Sequence, residues 1–311
     1  MFIGALAYAD DVALLAPTAS ALRQMLVVCE NYAAKYKVTF NASKSKCILI
    51  GNKRRTIGSR PEFSLNGDVI DYVDSWPHLG HIINDKLTDT DDILNRRSTM
   101  FGQINRVICN FSSIDFGLKC KLFNTFCNSN YGCEIWELES RKIAEYCAGW
   151  RRGLRRFLDL PYDFSTKLLH VLSRSLPIFD IICCRALNFI VKCLNSQSEL
   201  ISSVSRFCLS AAGSSSFFGR NIVFLSKWAD IPIHKLLLNN INHAFLGRKF
   251  QQSSDQVDNS LAFSAYEIIS LKEGILKIEG QTWDRACRQS RTLLHIDNNN
   301  NIRLCCFFTC F

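Results

Sequence analysis

The chain of 311 residues is long enough for about two domains, and its 48% hydrophobic content is typical of a globular protein and excludes a disordered one. Its formal net charge of +9 favours a polyanionic partner, and nucleic acid is the commonest one. No run of about 18 apolar residues occurs, so we expect no membrane span and no membrane partner.

Fifteen cysteines are present, and no two of them have the Cys-x-x-Cys spacing of a zinc ribbon. Residues 1–7 are apolar but too short for a secretory signal, and they lack a basic lead. We therefore expect reduced, mostly buried thiols in an intracellular protein of the cytoplasm, the nucleus or both.

Near the start, two apolar runs at residues 2–7 and 12–16 flank a pair of acids, Asp10 and Asp11. This pattern predicts a β-hairpin with the acids at its tip. A domain seldom begins inside a buried hairpin strand, so we expect a part of the domain that precedes residue 1 to be missing.

Short elements follow up to about residue 90. A helix is predicted after Thr18, with an apolar face formed by Leu22, Met25, Leu26, Cys29, Ala33 and Tyr36. We then predict strands at 38–40 and 47–50, a loop at 53–60, a hairpin at 63–73 that turns at Asn66-Gly67, and one strand at 76–83.

Helical patterns dominate the rest of the chain. We predict helices at 92–109, 118–129, 140–158, 166–173 and 177–194, then a serine-rich linker at 202–216, then helices at 221–228, 233–246 and 262–276. The expected fold class is α+β, with an α+β domain over residues 1–90, a helical domain over 91–197, and a helical or poorly ordered region of uncertain role over 198–311.

The residues Tyr8-Ala9-Asp10-Asp11 match the Y/F-x-D-D signature of reverse transcriptases, although an exposed turn would give the same four residues. Further blocks follow in the order found in those enzymes: Val12–Thr18, Cys29–Ala33, Phe40–Cys47, His78–Gly80, Tyr131–Trp136 and Arg151–Pro161. Over residues 2–187 the chain resembles the end of the palm and the thumb of reverse transcriptases from LINE-type (non-LTR, jockey-like) retrotransposons.

The resemblance implies RNA-directed DNA synthesis by two-metal nucleotidyl transfer. Asp10 and Asp11 would bind Mg²⁺, whose preference for carboxylate oxygens suits a rigid hairpin tip. Tyr8 would lie beside the primer end, with ordinary hairpin packing as the alternative. Lys44 would contact the triphosphate as a positive point charge, although Lys46 competes for that role and a solvated turn lysine is also open.

The implied partners are an RNA template with its DNA primer and a deoxynucleoside triphosphate, while the oligomeric state stays open. Gly80 matches the primer-grip region, where a glycine permits close backbone approach, and a plain turn is the alternative. The thumb would grip the duplex backbone through one flank of a helix. That flank carries Arg151, Arg152, Arg155 and Arg156, and the alternative is a solvated face paired with Glu139 and Glu145.

Cys287 and His295 have the spacing of one step of the zinc knuckle found in some such enzymes, but Trp283 and Asn300 replace two ligands, so we expect no zinc site. The palm of the family also needs a third carboxylate and fingers from sequence before residue 1. We therefore expect a truncated remnant that is inactive alone. The alternatives are a non-catalytic nucleic-acid-binding remnant of the thumb, and a relic without function.

Overall fold

The computed structural model describes residues 4–50, 60–111, 114–128, 130–173, 176–210 and 216–237. Short paired strands and one long helix fill the first part of the chain, and helices fill the rest, which confirms the α+β class. The chain forms two compact units that adjoin in sequence between Asp92 and Ile93.

The chain opens with the predicted hairpin. Strands β1 (Ala5–Tyr8) and β2 (Asp11–Leu14) are antiparallel, and Tyr8 pairs with Asp11. Ala9 and Asp10 are therefore the two turn residues. Ala13 and Leu14 are buried, so the apolar end of β2 anchors the hairpin and leaves its acidic end in solvent.

Helix α1 (Ala19–Tyr36) begins where the sequence predicts, because the Thr18 hydroxyl accepts a hydrogen bond from the Ala21 N–H at 3.1 Å. The predicted apolar face is buried at Leu22, Leu26 and Ala33. The prediction of this face was wrong at Tyr36, whose side chain is 55% exposed in the last turn of the helix. The strand predicted at 38–40 was also wrong, since no strand forms there.

The remaining strands of the first unit are short. They are β3 (Lys46–Cys47), β4 (Ser64–Leu65), β5 (Asp68–Val69), β6 (Asp71–Tyr72), β7 (Ser75–His78) and β8 (His81–Asn84). The predicted hairpin at Asn66-Gly67 is confirmed, with positive φ at both residues, while β3 pairs in parallel with β6.

The prediction of a single strand at 76–83 was wrong, because this segment forms a third hairpin. Leu79 and Gly80 have φ values of 47° and 83° and reverse the chain between β7 and β8. Leucine rarely adopts a positive φ, so its presence gave no turn signal.

One hydrophobic core joins these elements. It contains Leu14 of β2, Leu22 and Leu26 of α1, and Ala42 and Cys47 from the segment after α1, together with Phe63, Leu65 and Ile70. The hairpin and the segment around residue 44 are therefore packed on the same set of side chains.

The helical part matches the sequence closely. It comprises α2 (Thr90–Asn110), α3 (Phe116–Leu122) with a π-helical turn at Phe123–Cys127, α4 (Arg141–Phe157), α5 (Thr166–Leu172), α6 (Ile178–Leu194), α7 (Glu199–Ser210), α8 (Phe217–Ala229) and α9 (Ile233–Leu236). The linker predicted at 202–216 was wrong through residue 210, where α7 packs against α6 and α8. Its buried Ser205 donates a hydrogen bond to the Ile201 carbonyl, so serine fits inside this helix.

The core of the helical part is built on α4. Tyr146, Trp150, Leu154 and Phe157 are buried on one face. At Gly153 a Cβ atom would lie 2.7 Å from the Ile104 Cδ1, so the glycine lets α2 approach α4 closely.

Hydrogen bonds between distant parts of the chain pair several buried polar groups in this core. The Tyr146 hydroxyl donates to the Asn130 Oδ1 at 2.7 Å. Asn221 on α8 accepts from the Leu138 N–H at 3.0 Å and donates to the Trp136 carbonyl at 2.8 Å. Each bond satisfies a group that burial removes from water.

The described cysteines are free thiols and most are buried, as predicted. Burial raises the pKa of Cys127 and of Cys147 to about 11, which keeps both protonated near neutral pH. No helix among the described residues is long and apolar enough to cross a membrane. The loop predicted at 53–59, the linker residues 211–215, the helices predicted beyond residue 237 and the Cys287–His295 pair lie outside the described residues.

We expect Asn221→Ala to lower the free energy of unfolding by about 2–4 kcal/mol, because it leaves a buried N–H and a buried carbonyl unpaired. Urea denaturation followed by circular dichroism measures this change. Asn105→Ala is the matched control, since Asn105 is exposed on α2. Equal effects of the two substitutions would contradict the bridging role of Asn221.

Candidate functional site

The tip of the first hairpin presents two carboxylates to solvent. Asp10 lies in the turn and Asp11 begins β2, and both are exposed. Ala9 precedes them with a φ of 53°, a left-handed conformation that costs an alanine about 1–2 kcal/mol. Strain of this kind concentrates at functional sites, where surrounding packing imposes it.

The hairpin base supplies that packing. The Leu15 N–H donates to the Gly4 carbonyl at 2.8 Å and extends the ladder beyond the strands. Val12 and Leu14 pack on the shared core. Tyr8, at the end of β1, is 36% exposed and pairs across the hairpin with Asp11.

Lys44 lies on a short 3₁₀ turn, Ala42–Lys44, that Asn41 organises. The Asn41 Oδ1 accepts from the Lys44 N–H at 3.1 Å and from the Ser43 hydroxyl at 2.6 Å. Ala42 is buried in the same core as Leu14. The Lys44 side chain therefore projects into solvent from a backbone fixed at both ends.

Lys46, the competing lysine, is already engaged. Its Nζ lies 2.7 Å from the Asp71 Oδ2 and 5.9 Å from the centre of the Trp76 ring. Lys44 is exposed and makes no ion pair with any residue in the described part of the chain. Of the two, Lys44 is the lysine available to an incoming anion.

The Leu79–Gly80 turn carries a histidine toward the acids. His78, at the end of β7, is close enough to Asp11 to feel its charge. Burial lowers the pKa of His78 below its ordinary value; the Asp11 carboxylate opposes this shift and His81 adds to it. His78, the residue before the Leu79-Gly80 pair, therefore lies within electrostatic range of Asp11, which sequence reasoning did not foresee.

A buried carboxylate holds the β7–β8 hairpin in place. The Asp92 Oδ1 accepts from the Ile82 N–H at 3.1 Å, and its Oδ2 lies 3.4 Å from the His81 Nδ1. Nearby, the Asn84 amide donates to Thr88 and to the Asp91 Oδ2 at 2.8 Å. These bonds fix β8, the strand that follows Gly80, to the start of α2. The only sequence signal for them was the pair of acids in the first turn of that helix.

Asp10 and Asp11 do not form a complete metal cage by themselves. Within the described ranges, no group of three or more histidine, cysteine, aspartate or glutamate side chains is arranged to hold a metal ion. Two adjacent exposed carboxylates are nevertheless the oxygen donors that Mg²⁺ prefers, and further ligands from water or a phosphate complete such a site.

The four arginines of α4 lie opposite its buried face. Arg152 and Arg156 are exposed, and Arg151 and Arg155 are half-buried. The Arg155 guanidinium donates from Nε to the Phe164 carbonyl at 3.0 Å and from Nη2 to the Thr166 hydroxyl at 2.7 Å. Burial and the nearby Arg151 charge lower the pKa of Arg155, although it stays protonated.

Glu139 and Glu145 were the predicted alternative partners of these arginines. In the described part of the chain, neither acid pairs with them. Glu145 lies 2.8 Å from the Lys142 Nζ and 3.6 Å from the Arg141 Nε. Glu139 is exposed. In the described ranges, none of the four arginines forms an ion pair with a carboxylate, so their charge is available to an anionic ligand.

The sequence was compared with known proteins. Over 172 residues it is 25% identical to the RNA-directed DNA polymerase from the mobile element jockey of Drosophila melanogaster. The sequence resembles a reverse transcriptase. The match covers 51% of this chain and 18% of that polymerase, so the chain spans a small part of the length of the curated relative. No protein-family model matches the sequence, and no solved structure matches with significance.

We expect acid to destabilise the protein partly through His78. Because burial lowers its folded-state pKa, the unfolded chain binds a proton more readily, and the contribution of this residue to stability is lost as the pH falls below about 6.5. Urea denaturation between pH 7.5 and pH 5.5 should show a shallower pH dependence for His78→Gln than for the unsubstituted chain. His234→Gln, at an exposed histidine, should follow the unsubstituted chain, and parallel curves for all three proteins would contradict this role of His78.

Proposed function

We propose that this chain is a palm-and-thumb segment of an RNA-directed DNA polymerase of the non-LTR retrotransposon type. One observation carries the proposal: the Tyr8–Asp11 motif forms a two-residue hairpin turn whose carboxylates are exposed, on a core shared with the Lys44 turn. The sequence similarity to the jockey polymerase supports it.

In this proposal Asp10 and Asp11 bind Mg²⁺ at the primer end. Two divalent ions activate the primer 3′-hydroxyl and neutralise charge on the phosphate under attack. Carboxylates on a rigid turn suit this role because they need little reorganisation when the metal binds. Tyr8, partly exposed beside Asp11, would contact the primer terminus.

Lys44 would contact the triphosphate of the incoming nucleotide. The ion pair of Lys46 with Asp71 supports this choice, because a lysine without a carboxylate partner needs no ion pair broken before it binds phosphate. Asn41 would act through Lys44 by fixing its backbone. The turn at Leu79 and Gly80, with its neighbour His78 beside Asp11, would lie along the primer strand.

The helical unit would bind the duplex backbone. Arg151, Arg152 and Arg156 would neutralise phosphates without reading sequence, as expected for a polymerase that must copy any template. Arg155 would contribute less, because two of its donors are already bonded within the protein. Catalysis would also need a third carboxylate, so we expect no primer extension by this chain above an Asp10→Ala control.

A test of the metal site uses Mg²⁺-dependent binding of an RNA template annealed to a DNA primer. Without Mg²⁺ we expect Asp10→Asn to bind about two- to fivefold more tightly than the unsubstituted chain, because one carboxylate no longer repels the primer phosphates. With 5 mM Mg²⁺, about five times a dissociation constant of about 1 mM, we expect that order to reverse, because only the unsubstituted chain gains a metal bridge. Fluorescence anisotropy measures both affinities.

Asp68→Asn is the matched control, since Asp68 is an exposed aspartate beside another hairpin turn of the same unit. It should show no reversal with Mg²⁺. If Asp10→Asn binds like the unsubstituted chain with and without Mg²⁺, the metal role of Asp10 is refuted.

A second candidate function is nucleic-acid binding without catalysis. The arginines of α4 without carboxylate partners favour it, together with the incomplete metal cage in the described residues. In this alternative, the affinity for the duplex depends on the arginines. It does not change when Mg²⁺ is added or when Asp10 is substituted. The measurement above therefore separates the two functions.

Both functions predict that Arg152 and Arg156 bind phosphates. The double variant Arg152→Ala, Arg156→Ala should weaken duplex binding and should reduce the slope of log affinity against log salt concentration by about 2, since each phosphate contact contributes about 0.9. Arg141→Ala is the control on the same helix, because Arg141 is exposed but lies beside Glu145. An unchanged salt slope in the double variant would contradict both functions.

A further inference from the structure

The loop after α4 displays one aromatic side chain. Tyr162 is 82% exposed, the largest exposed fraction among the large apolar side chains that the structure describes. Its neighbours two residues away on either side, Leu160 and Phe164, are buried. The loop is thus anchored at both ends, and the tyrosine projects from its middle.

Hydrogen bonds fix this loop to the helix. The Leu160 N–H donates to the Arg155 carbonyl at 2.9 Å, and the Phe164 N–H donates to the Pro161 carbonyl at 3.1 Å. From the other side, the Arg155 guanidinium binds the Phe164 carbonyl and the Thr166 hydroxyl. The loop backbone is therefore fixed on both sides of Tyr162, and little backbone entropy remains to be lost when the exposed ring binds a partner.

The surroundings of the ring are mostly basic. Arg155 is near enough to Tyr162 for the two to interact electrostatically, and Arg151 is near Arg155. Asp159 of the same loop lies 2.8 Å from the Lys119 Nζ, which neutralises it. Asp163, which is exposed, is the acid next to the ring in sequence. An exposed aromatic ring close to a basic helix can stack on unpaired bases while the arginines of the helix hold the phosphates.

We propose that Tyr162 stacks on an unpaired base of a single-stranded nucleic acid whose phosphates lie along Arg151, Arg152 and Arg156. In this site Arg155 is a positioning residue that acts through the loop. The inference rests on the proposed nucleic-acid binding of α4 and adds to its duplex contacts a strand with unpaired bases, such as the template beyond the primer end. A base has a π-face whatever its identity, so this contact is independent of sequence.

The experiment measures binding of the full chain to three probes: a single-stranded oligonucleotide, a template–primer with a single-stranded overhang, and a blunt duplex. The single strand carries 2-aminopurine, whose fluorescence falls when it stacks. We expect Tyr162→Ala to weaken binding of the first two probes about tenfold and to abolish most of the quenching, with blunt-duplex binding unchanged. Tyr162→Phe keeps the ring and should bind like the unsubstituted chain.

Arg155→Gln tests the positioning role. If Arg155 acts through the loop, this substitution should lose about as much single-strand affinity as Tyr162→Ala, and the double variant should lose little more. Full additivity of the two losses would overturn the positioning role. Tyr36→Ala, at an exposed tyrosine of the first unit, is the control and should leave binding unchanged.

The possible outcomes distinguish a failure of the stacking site from a failure of the proposed nucleic-acid binding of α4. If Tyr162→Ala binds all probes like the unsubstituted chain while Arg152→Ala, Arg156→Ala binds weakly, the stacking site is overturned and the basic face stands. Equal losses by Tyr162→Ala on blunt duplex and single strand would also overturn it. If neither set of substitutions weakens binding, the nucleic-acid role of α4 fails and this inference fails with it.

Discussion

The candidate site depends on one hydrophobic core, which contains both Leu14 of β2 and Ala42, two residues before Lys44. The acids and the lysine are otherwise solvated side chains on separate turns, with no covalent or ionic restraint between them. Burial of apolar surface is non-directional, but a packed core allows few arrangements of its parts. The relative placement of charges at the surface is therefore set by side chains that carry none.

In α4, too, buried apolar side chains determine where the exposed charges lie. One face of the helix is buried through Trp150, Leu154 and Phe157, and Gly153 admits α2 to close contact. A helix packed so tightly cannot rotate about its axis without exposing aromatic surface. The opposite face, with Arg152 and Arg156, consequently has a fixed direction, and a row of arginines with a fixed direction can match the spacing of phosphates along a strand.

Local signals in the sequence were sufficient for the elements that local chemistry determines. Thr18 and Ser140 begin helices as caps, Asn66-Gly67 makes its turn, and the acids reach a hairpin tip. The predictions that failed concerned elements that depend on partners distant in the sequence. The turn at Leu79-Gly80 forms where β8 is held by Asp92, ten residues beyond Ile82, and serine-rich α7 is stabilised by packing on α6 and α8. The pairing of Arg155 with the loop beyond α4, which changes its expected role, likewise has no sequence signal.

The left-handed Ala9 has a consequence for how sharply the acids are located. A glycine there would adopt the same φ at no steric cost, but it would also give the unfolded and partly frayed turn many more conformations. Compared with glycine, alanine destabilises the turn in this conformation and also restricts the number of conformations that its backbone can adopt. The turn thus gives up some thermodynamic stability, and in return the backbone at Asp10 has fewer accessible conformations, which would favour the proposed binding of a small ion.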